Sequence, residues 1–139
     1  MKILSLLTLL LFASTATYAD SFAVSKNIQE VSVSTSDIKS IFLGKRSLWD
    51  NKQPILLCLV NQNEKDLDSF LRQFVGKNTR SYNRFWTKRL FSGESSAIPE
   101  KFASKEKAFK YLENRENVIC YIGKGAAIVP DSVSLLEIK

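Results

Sequence analysis

The sequence predicts an α/β layered domain with a small, mostly parallel sheet flanked by helices. Two observations support this fold class. Short apolar runs typical of strands alternate with longer segments whose apolar residues recur at helical spacing, in the order β-α-β-α-α-α-β-β. One run, Pro54–Val60, is apolar at nearly every position, which indicates a strand covered on both faces, as in a parallel sheet.

The N-terminal segment has the pattern of a signal peptide. A lysine precedes an apolar stretch, Ile3–Ala13, that is too short to span a membrane as a helix. Small residues then lead to a cleavage site between Ala19 and Asp20. A retained membrane anchor is the alternative, but no second apolar stretch or lipid-accepting cysteine follows. We therefore expect residues 1–19 to be a signal peptide and residues 20–139 to form one periplasmic domain, with no stable membrane insertion after cleavage.

The domain is predicted to begin with a strand and a capped helix. Phe22–Ser25 has strand character, and residues 27–33 are predicted to form a loop. Ser34 with Asp37 three residues later is typical of a helix N-cap and its capping box. Apolar residues then follow at positions i, i+3 and i+4, namely Ile38, Ile41 and Phe42. Gly44 is placed to end this helix, before the buried strand Pro54–Val60.

A second helix is predicted after the segment Asn61-Gln62-Asn63. Its opening turns hold three acids that complement the positive end of the helix dipole: Glu64, Asp66 and Asp68. Its apolar stripe consists of Leu67, Phe70, Leu71 and Phe74, and Gly76 ends it. Because Asp66 and Asp68 are two residues apart, they fall on different helix faces and do not form a catalytic pair.

A third helix is predicted over residues 79–91, where bases and aromatic residues are interleaved. Three bases form one stripe at helical spacing: Arg80, Arg84 and Lys88. The opposite stripe is apolar: Tyr82, Phe85, Trp86 and Leu90, with Arg89 as the exception among the bases. This separation favours an amphipathic scaffold helix over a nucleic-acid platform, in which aromatic residues and bases act on the same surface. The basic stripe remains available to an anionic protein or lipid surface.

The last third of the chain is predicted to hold one helix and two strands. Residues 92–100 are rich in Ser, Gly and Pro and indicate a loop. Ser104 is a candidate N-cap for a fourth helix with the apolar residues Ala108, Phe109, Tyr111 and Leu112. Residues 117–122 and 133–138 are apolar runs typical of buried strands.

Composition restricts the chemistry that this chain can perform. The chain has 20 Lys and Arg against 14 Asp and Glu, and its formal charge of +6 suits anionic partners. It contains no histidine, which removes the usual general base and the commonest metal ligand. The turn Gly123–Ala127 lacks the spacing of a phosphate-binding loop. We expect no catalytic residues, no metal site, no cofactor and no nucleic-acid partner.

The two cysteines, Cys58 and Cys120, are the candidate disulfide. Both lie in apolar runs predicted to be strands, and disulfides form in exported proteins. A bridge requires that the two strands be neighbours with facing side chains. Two buried free thiols that pack as small apolar side chains are the alternative. No CxxC pair is present, which argues against thiol catalysis.

Four ordered segments carry a resemblance to a known family. They are "DIKSIFLGKRSLW" (residues 37–49), "PILLCLVNQ" (54–62), "RFWTKRLFSG" (84–93) and "NVICYIG" (117–123). Together they resemble the phosphate-binding proteins of ABC transporters, and more closely the short, exported, single-lobe proteins of that superfamily. The resemblance implies one lobe of a type 2 periplasmic-binding-protein fold. It also implies that Gly44 turns the chain and that Trp49 packs, without either contacting a ligand.

The resemblance fails where the family binds phosphate. There, the strand that corresponds to Pro54–Val60 is followed by a loop rich in Gly, Ser and Thr with an Arg, whose backbone amides hold the anion at a helix N-terminus. Here the corresponding stretch is "NQNEKDLDSF", with no Gly, no Arg and three carboxylates. We therefore assign no ligand-binding residue from the family.

Two hypotheses for function follow from these observations. The first is an exported solute-binding-protein-like domain related to phosphate transporters, with a degenerate anion site and a small anion as its partner. The alternative is an envelope interaction or sensor-input protein that uses the fold as a scaffold, with another envelope protein as its partner. Neither hypothesis includes enzymatic activity.

Overall fold

The computed structural model of the chain describes residues 19–30, 32–125 and 129–139. Within these residues, six strands form one sheet in the spatial order β2-β6-β1-β5-β3-β4. Their bounds are β1 Asp20–Ser25, β2 Ser32–Val33, β3 Leu56–Val60, β4 Glu100–Phe102, β5 Val118–Lys124 and β6 Val133–Ile138. Strand β1 pairs antiparallel with β5 and β6, whereas the remaining pairs are parallel. Five strands therefore point one way and β1 the other, which confirms the predicted mostly parallel sheet.

Four α-helices flank this sheet in the described part of the chain. Their bounds are α1 Thr35–Phe42, α2 Glu64–Phe70, α3 Thr79–Phe91 and α4 Lys105–Asn114. A π-helical turn, Leu71–Val75, continues α2 until Gly76 ends it in a left-handed conformation. The predicted capping box of α1 is present, because Ser34 Oγ accepts from Asp37 N and the Asp37 carboxylate accepts from Ser34 N. The hydrogen bond that Ser34 N donates to the Asp37 carboxylate is the main cause that lowers the pKa of Asp37.

The sheet is covered on both faces, as the continuous apolar strands predict. On one face, α1, α2 with its π-helical turn, and α3 pack against alternate strand residues, including Phe22, Leu59 and Tyr121. On the other face, α4 packs against the intervening residues, including Ala23, Cys58 and Cys120. Since neighbouring residues of a strand point to opposite faces, each central strand contributes to both cores.

The loop between α1 and β3 is held by packing and by hydrogen bonds. Gly44 has a left-handed backbone (φ +71°), and a Cβ atom there would lie 2.8 Å from Cη2 of Trp86. Trp49 is buried and its Nε1 donates to the carbonyl oxygen of Asn117 at 2.9 Å. Arg46 Nη2 lies 2.8 Å from a carboxylate oxygen of Glu30. Arg46 and Trp49 therefore contact other parts of the protein, and Gly44 lies close to Trp86.

Several details differ from the sequence prediction. Residues 27–33 contain the short strand β2, and residues 100–102 form β4 after the predicted loop. Both strands have only two or three residues, so that pairing with a neighbouring strand defines them. The predicted apolar stripe of α3 is wrong at Leu90, which is exposed, because α3 packs mainly through Tyr82 and Trp86 near its centre.

Candidate functional site

A groove lies at the edge of the sheet where the parallel strands β3 and β5 end. Ligands of open α/β sheets bind in crevices outside the carboxyl ends of the strands. The groove has a volume of about 280 Å³. We call it the carboxyl-edge groove, and it is lined by Val60, Gln62, Asn63, Asp66, Lys105, Ile122, Gly123 and Lys124. The starts of α2 and α4 both reach it, because each helix follows a strand that ends at this edge.

The start of α2 is closed by a residue of the groove itself. Asn63 is the N-cap, and its Oδ1 accepts hydrogen bonds from Lys65 N at 3.0 Å and from Asp66 N at 3.2 Å. These backbone donors are of the kind that hold an anion at a helix N-terminus. In this chain a neutral side chain already occupies them.

The groove contains a carboxylate and has a second one beside it. Asp66 lines the groove directly. Asp20 pairs with Lys124 across β1 and β5, and its Oδ1 accepts from the Tyr121 hydroxyl at 2.9 Å. Burial is the main cause that raises the pKa of Asp20, with a further contribution from Asp66. Burial also raises the pKa of Tyr121, so that its hydroxyl keeps its proton and donates.

Two lysines bring positive charge to the same groove. Lys105 is the first residue of α4, directly after the N-cap Ser104, and Lys124 is the last residue of β5. The Lys124 charge counteracts the raised pKa of Asp20, because it favours the ionised carboxylate. The groove therefore has both charge signs, an arrangement that suits a weakly held small polar ligand better than a phosphate dianion.

The three acids near the start of α2 do not act together. Asp66 faces the groove. Asp68 lies elsewhere and bonds Arg72 Nε at 2.6 Å and Thr79 N at 2.9 Å, which lowers its pKa. Glu64 is exposed and lines a separate hollow with Asp68 and Arg80. The sequence has three carboxylates in this segment, and the structure places one of them, Asp66, in the groove.

Sequence reasoning missed Lys105, Lys124 and the bond between Tyr121 and Asp20. A signal for Lys105 was present, since it directly follows the predicted N-cap Ser104. No local signal indicated the contact of Tyr121 with Asp20, which joins residues about a hundred positions apart. Pairing of β1 with β5, of β5 with β3 and of β3 with β4 brings these groups to one end of the sheet.

The two cysteines are joined in a disulfide. Cys58 of β3 and Cys120 of β5 are register partners, with Cα atoms 4.4 Å apart. Both are fully buried on the face covered by α4. The bridge therefore links the two strands that end at the groove, and the alternative of two free thiols does not describe this structure.

The predicted cleavage site lies at the boundary of the described residues. Asp20 begins β1, whereas residues 1–18 lie outside the described part of the chain. Among the described residues, no helix is long and apolar enough to cross a bilayer. The same residues hold no group of three or more His, Cys, Asp or Glu side chains that could bind a metal ion.

Three solved structures share this fold. A phosphate ABC transporter substrate-binding protein from Clostridium perfringens, with bound phosphate, superposes with a TM-score of 0.64 at 20% identity. PstS from Borrelia burgdorferi gives a TM-score of 0.63 at 14% identity. An ABC-type phosphate transport receptor from Vibrio cholerae gives 0.63 at 11% identity.

These matches concern one part of each larger protein. They cover 87%, 88% and 87% of this chain but 45%, 47% and 46% of the respective solved chains. The chain thus spans about half the length of the proteins that it resembles. No protein-family profile and no curated protein sequence matches this chain. The expected fold, a single lobe of the periplasmic-binding-protein type, is confirmed.

Proposed function

We propose that this chain is an exported solute-binding-protein-like domain whose ligand face is the carboxyl-edge groove and whose anion site is degenerate. Support for a binding role without catalysis comes from the shared fold, since the three solved proteins named above are substrate-binding or transport proteins. One observation supports a degenerate site above the others: the Asn63 side chain occupies the backbone donors at the start of α2, with Asp66 beside it.

Electrostatics determine how tightly this groove holds free phosphate. A carboxylate in contact with an anion repels it by about 1 to 4 kcal/mol, depending on exposure to solvent. An open groove on one lobe also leaves water to compete for the same donors. We therefore expect a dissociation constant for phosphate of about 1 mM or weaker, which corresponds to ~4 kcal/mol of binding.

Calorimetry at low salt tests this proposal with phosphate, sulfate and small organic anions. Asp66→Asn removes the repelling charge and is expected to strengthen phosphate binding by about fivefold or more. Glu113→Gln, which changes an exposed acid at the far end of α4, is the matched control and leaves the affinity within about twofold. Micromolar binding of phosphate by the unchanged protein contradicts a degenerate site.

A second candidate function is an envelope interaction or sensor-input role. The observation in its favour is that Asp66 and Asp20 lie close to Lys124 and Lys105, so the groove needs no ligand to balance its charges. Absence of any thermal shift or heat with the whole set of anions favours this second candidate. Saturable binding of one of the organic anions favours the first candidate, the solute-binding-protein-like domain.

Export to the periplasm is part of the proposal. It is supported by the apolar stretch Ile3–Ala13 and the small residues before Asp20. The intact mass of the protein from a periplasmic extract is expected to correspond to residues 20–139 with the Cys58–Cys120 bridge, and to rise by the mass of two hydrogens on reduction. A mass that retains residues 1–19 contradicts cleavage, and an unchanged mass on reduction contradicts the bridge.

A further inference from the structure

The outer face of α3 joins three bases and an exposed aromatic residue. At about 100° per residue, Arg80, Arg84, Lys88 and Phe91 fall within an arc of roughly 80°, with Phe91 between the two arginines. All four side chains are exposed, and Phe91 is 86% exposed. We call these four residues the α3 outer face.

The sheet does not use this face. Helix α3 packs through Tyr82 and Trp86, whose polar atoms both donate to the carbonyl oxygen of Phe42. Among the described residues, none of the three bases of the α3 outer face forms an ion pair. The acids near it are Glu64 and Asp68, which share a hollow with Arg80, and Asp68 is already paired with Arg72.

Further positive charge continues from the start of α3. Lys77 lies in a shallow hollow with Ser81, on the side of the helix next to Lys88, together with Arg72, which is paired with Asp68. Lys77 also lies over the Phe85 ring, with its Nζ 5.2 Å from the centroid. The bases therefore extend along α3 from its start, and the exposed aromatic side chain of Phe91 lies at its last residue.

We propose that the α3 outer face docks the protein on an anionic lipid bilayer. Bases of a surface helix contact the lipid head groups, while an aromatic side chain on the same face enters the boundary between head groups and acyl chains. Phe91 is placed to enter this boundary, and Arg80, Arg84 and Lys88 are placed to contact the lipid phosphates. The helix lies on the bilayer and does not cross it, since α3 has 13 residues and stays packed on the sheet.

An anionic bilayer fits this face better than an acidic protein does. Protein interfaces surround an anchoring aromatic residue with packed neighbours that exclude water. Here Phe91 is 86% exposed at the end of α3, and its neighbours on the face, Arg84 and Lys88, are charged and exposed. A soft, continuous surface accepts such a projection without a matching pocket.

Vesicle sedimentation tests this proposal with phosphatidylcholine vesicles, with and without phosphatidylglycerol. We expect binding to the anionic vesicles only, weakening as salt is raised. Arg84→Glu with Lys88→Glu lowers the affinity more than about tenfold, since each base near an anionic surface contributes roughly fivefold. Phe91→Ser lowers it by about fivefold.

A matched control has the same change in charge on the opposite side of the sheet. Lys107→Glu with Lys110→Glu alters two exposed bases of α4 and is expected to change the affinity by about twofold or less. All variants contain the same N-terminal residues, so any contribution of those residues to vesicle binding cancels in the comparison. Circular dichroism checks that each variant is folded.

Three results overturn the proposal. The first is an equal loss of affinity in the two double variants, because it indicates that binding depends on the net charge of the protein and not on the α3 outer face. The second is unchanged binding in Phe91→Ser. The third is no binding of the unchanged protein to anionic vesicles. That result favours an acidic protein as the partner of this face.

Discussion

The two segments on either side of β3 resemble the same family to different degrees and serve different purposes. The preceding loop, residues 43–55, carries part of the resemblance, and its Gly44 and Trp49 both lie against other parts of the protein. The following segment, residues 61–69, differs from the family and reaches the carboxyl-edge groove. The resemblance in this chain is therefore strongest where residues support the architecture, and it is weakest at the groove.

The largest effect is expected at Gly44. Gly44→Ala places a Cβ in a left-handed conformation, which costs ~1–2 kcal/mol, and drives it against Trp86, which adds about 1–3 kcal/mol. We expect a loss of roughly 2–5 kcal/mol in the free energy of unfolding, measured by urea denaturation.

Gly93 provides a matched control for this substitution. It has a similar backbone angle (φ +77°), but a Cβ there meets no atom within 4 Å. Gly93→Ala is therefore expected to lower the free energy of unfolding only by the cost of the left-handed backbone, about 1–2 kcal/mol. Equal losses at the two glycines would mean that the contact with Trp86 contributes nothing, and the architectural role of the first segment would then rest on Trp49 alone.

A smaller effect is expected at Asn63, in the second segment. Asn63→Ala removes the cap of α2 and is expected to lower the free energy of unfolding by ~1 kcal/mol. It also frees the backbone donors of Lys65 and Asp66, so that phosphate binding is expected to strengthen severalfold, on the order of 1 kcal/mol. Urea denaturation and calorimetry on the same protein measure both changes.

Ser34→Ala is the control for the loss of a helix cap. It removes the corresponding cap of α1, at the other side of the loop, with a similar loss of stability. Because α1 does not line the carboxyl-edge groove, its phosphate affinity is expected to stay that of the unchanged protein. A gain in affinity in Ser34→Ala as well would show that looser packing, and not freed donors, explains the result at Asn63.

The groove and the α3 outer face differ in the contacts that their polar and charged side chains make. At the groove, the Asn63 side chain caps α2, and beside it the Tyr121 hydroxyl donates to Asp20. The bases of the α3 outer face form no ion pair within the described residues. Within the described residues, the α3 outer face therefore combines three exposed bases that form no ion pair with the exposed side chain of Phe91.

The sequence by itself determined the elements whose signals are local. The cap of α1, the bounds of α3 and the strand β6 follow from neighbouring residues, because capping and amphipathic spacing act within a few positions. The apolar run before Asn61 likewise predicted a strand covered on both faces.

Only the tertiary structure decided which distant residues meet. Strand β1 runs against its neighbours, and its register brings Asp20 to Tyr121 and Lys124. The short strands β2 and β4 exist through their partners, and the parallel register of β3 with β5 places Cys58 opposite Cys120. The physical reason is that strand pairing joins residues far apart in the chain, so its outcome depends on the packing of the whole sheet and not on any one segment.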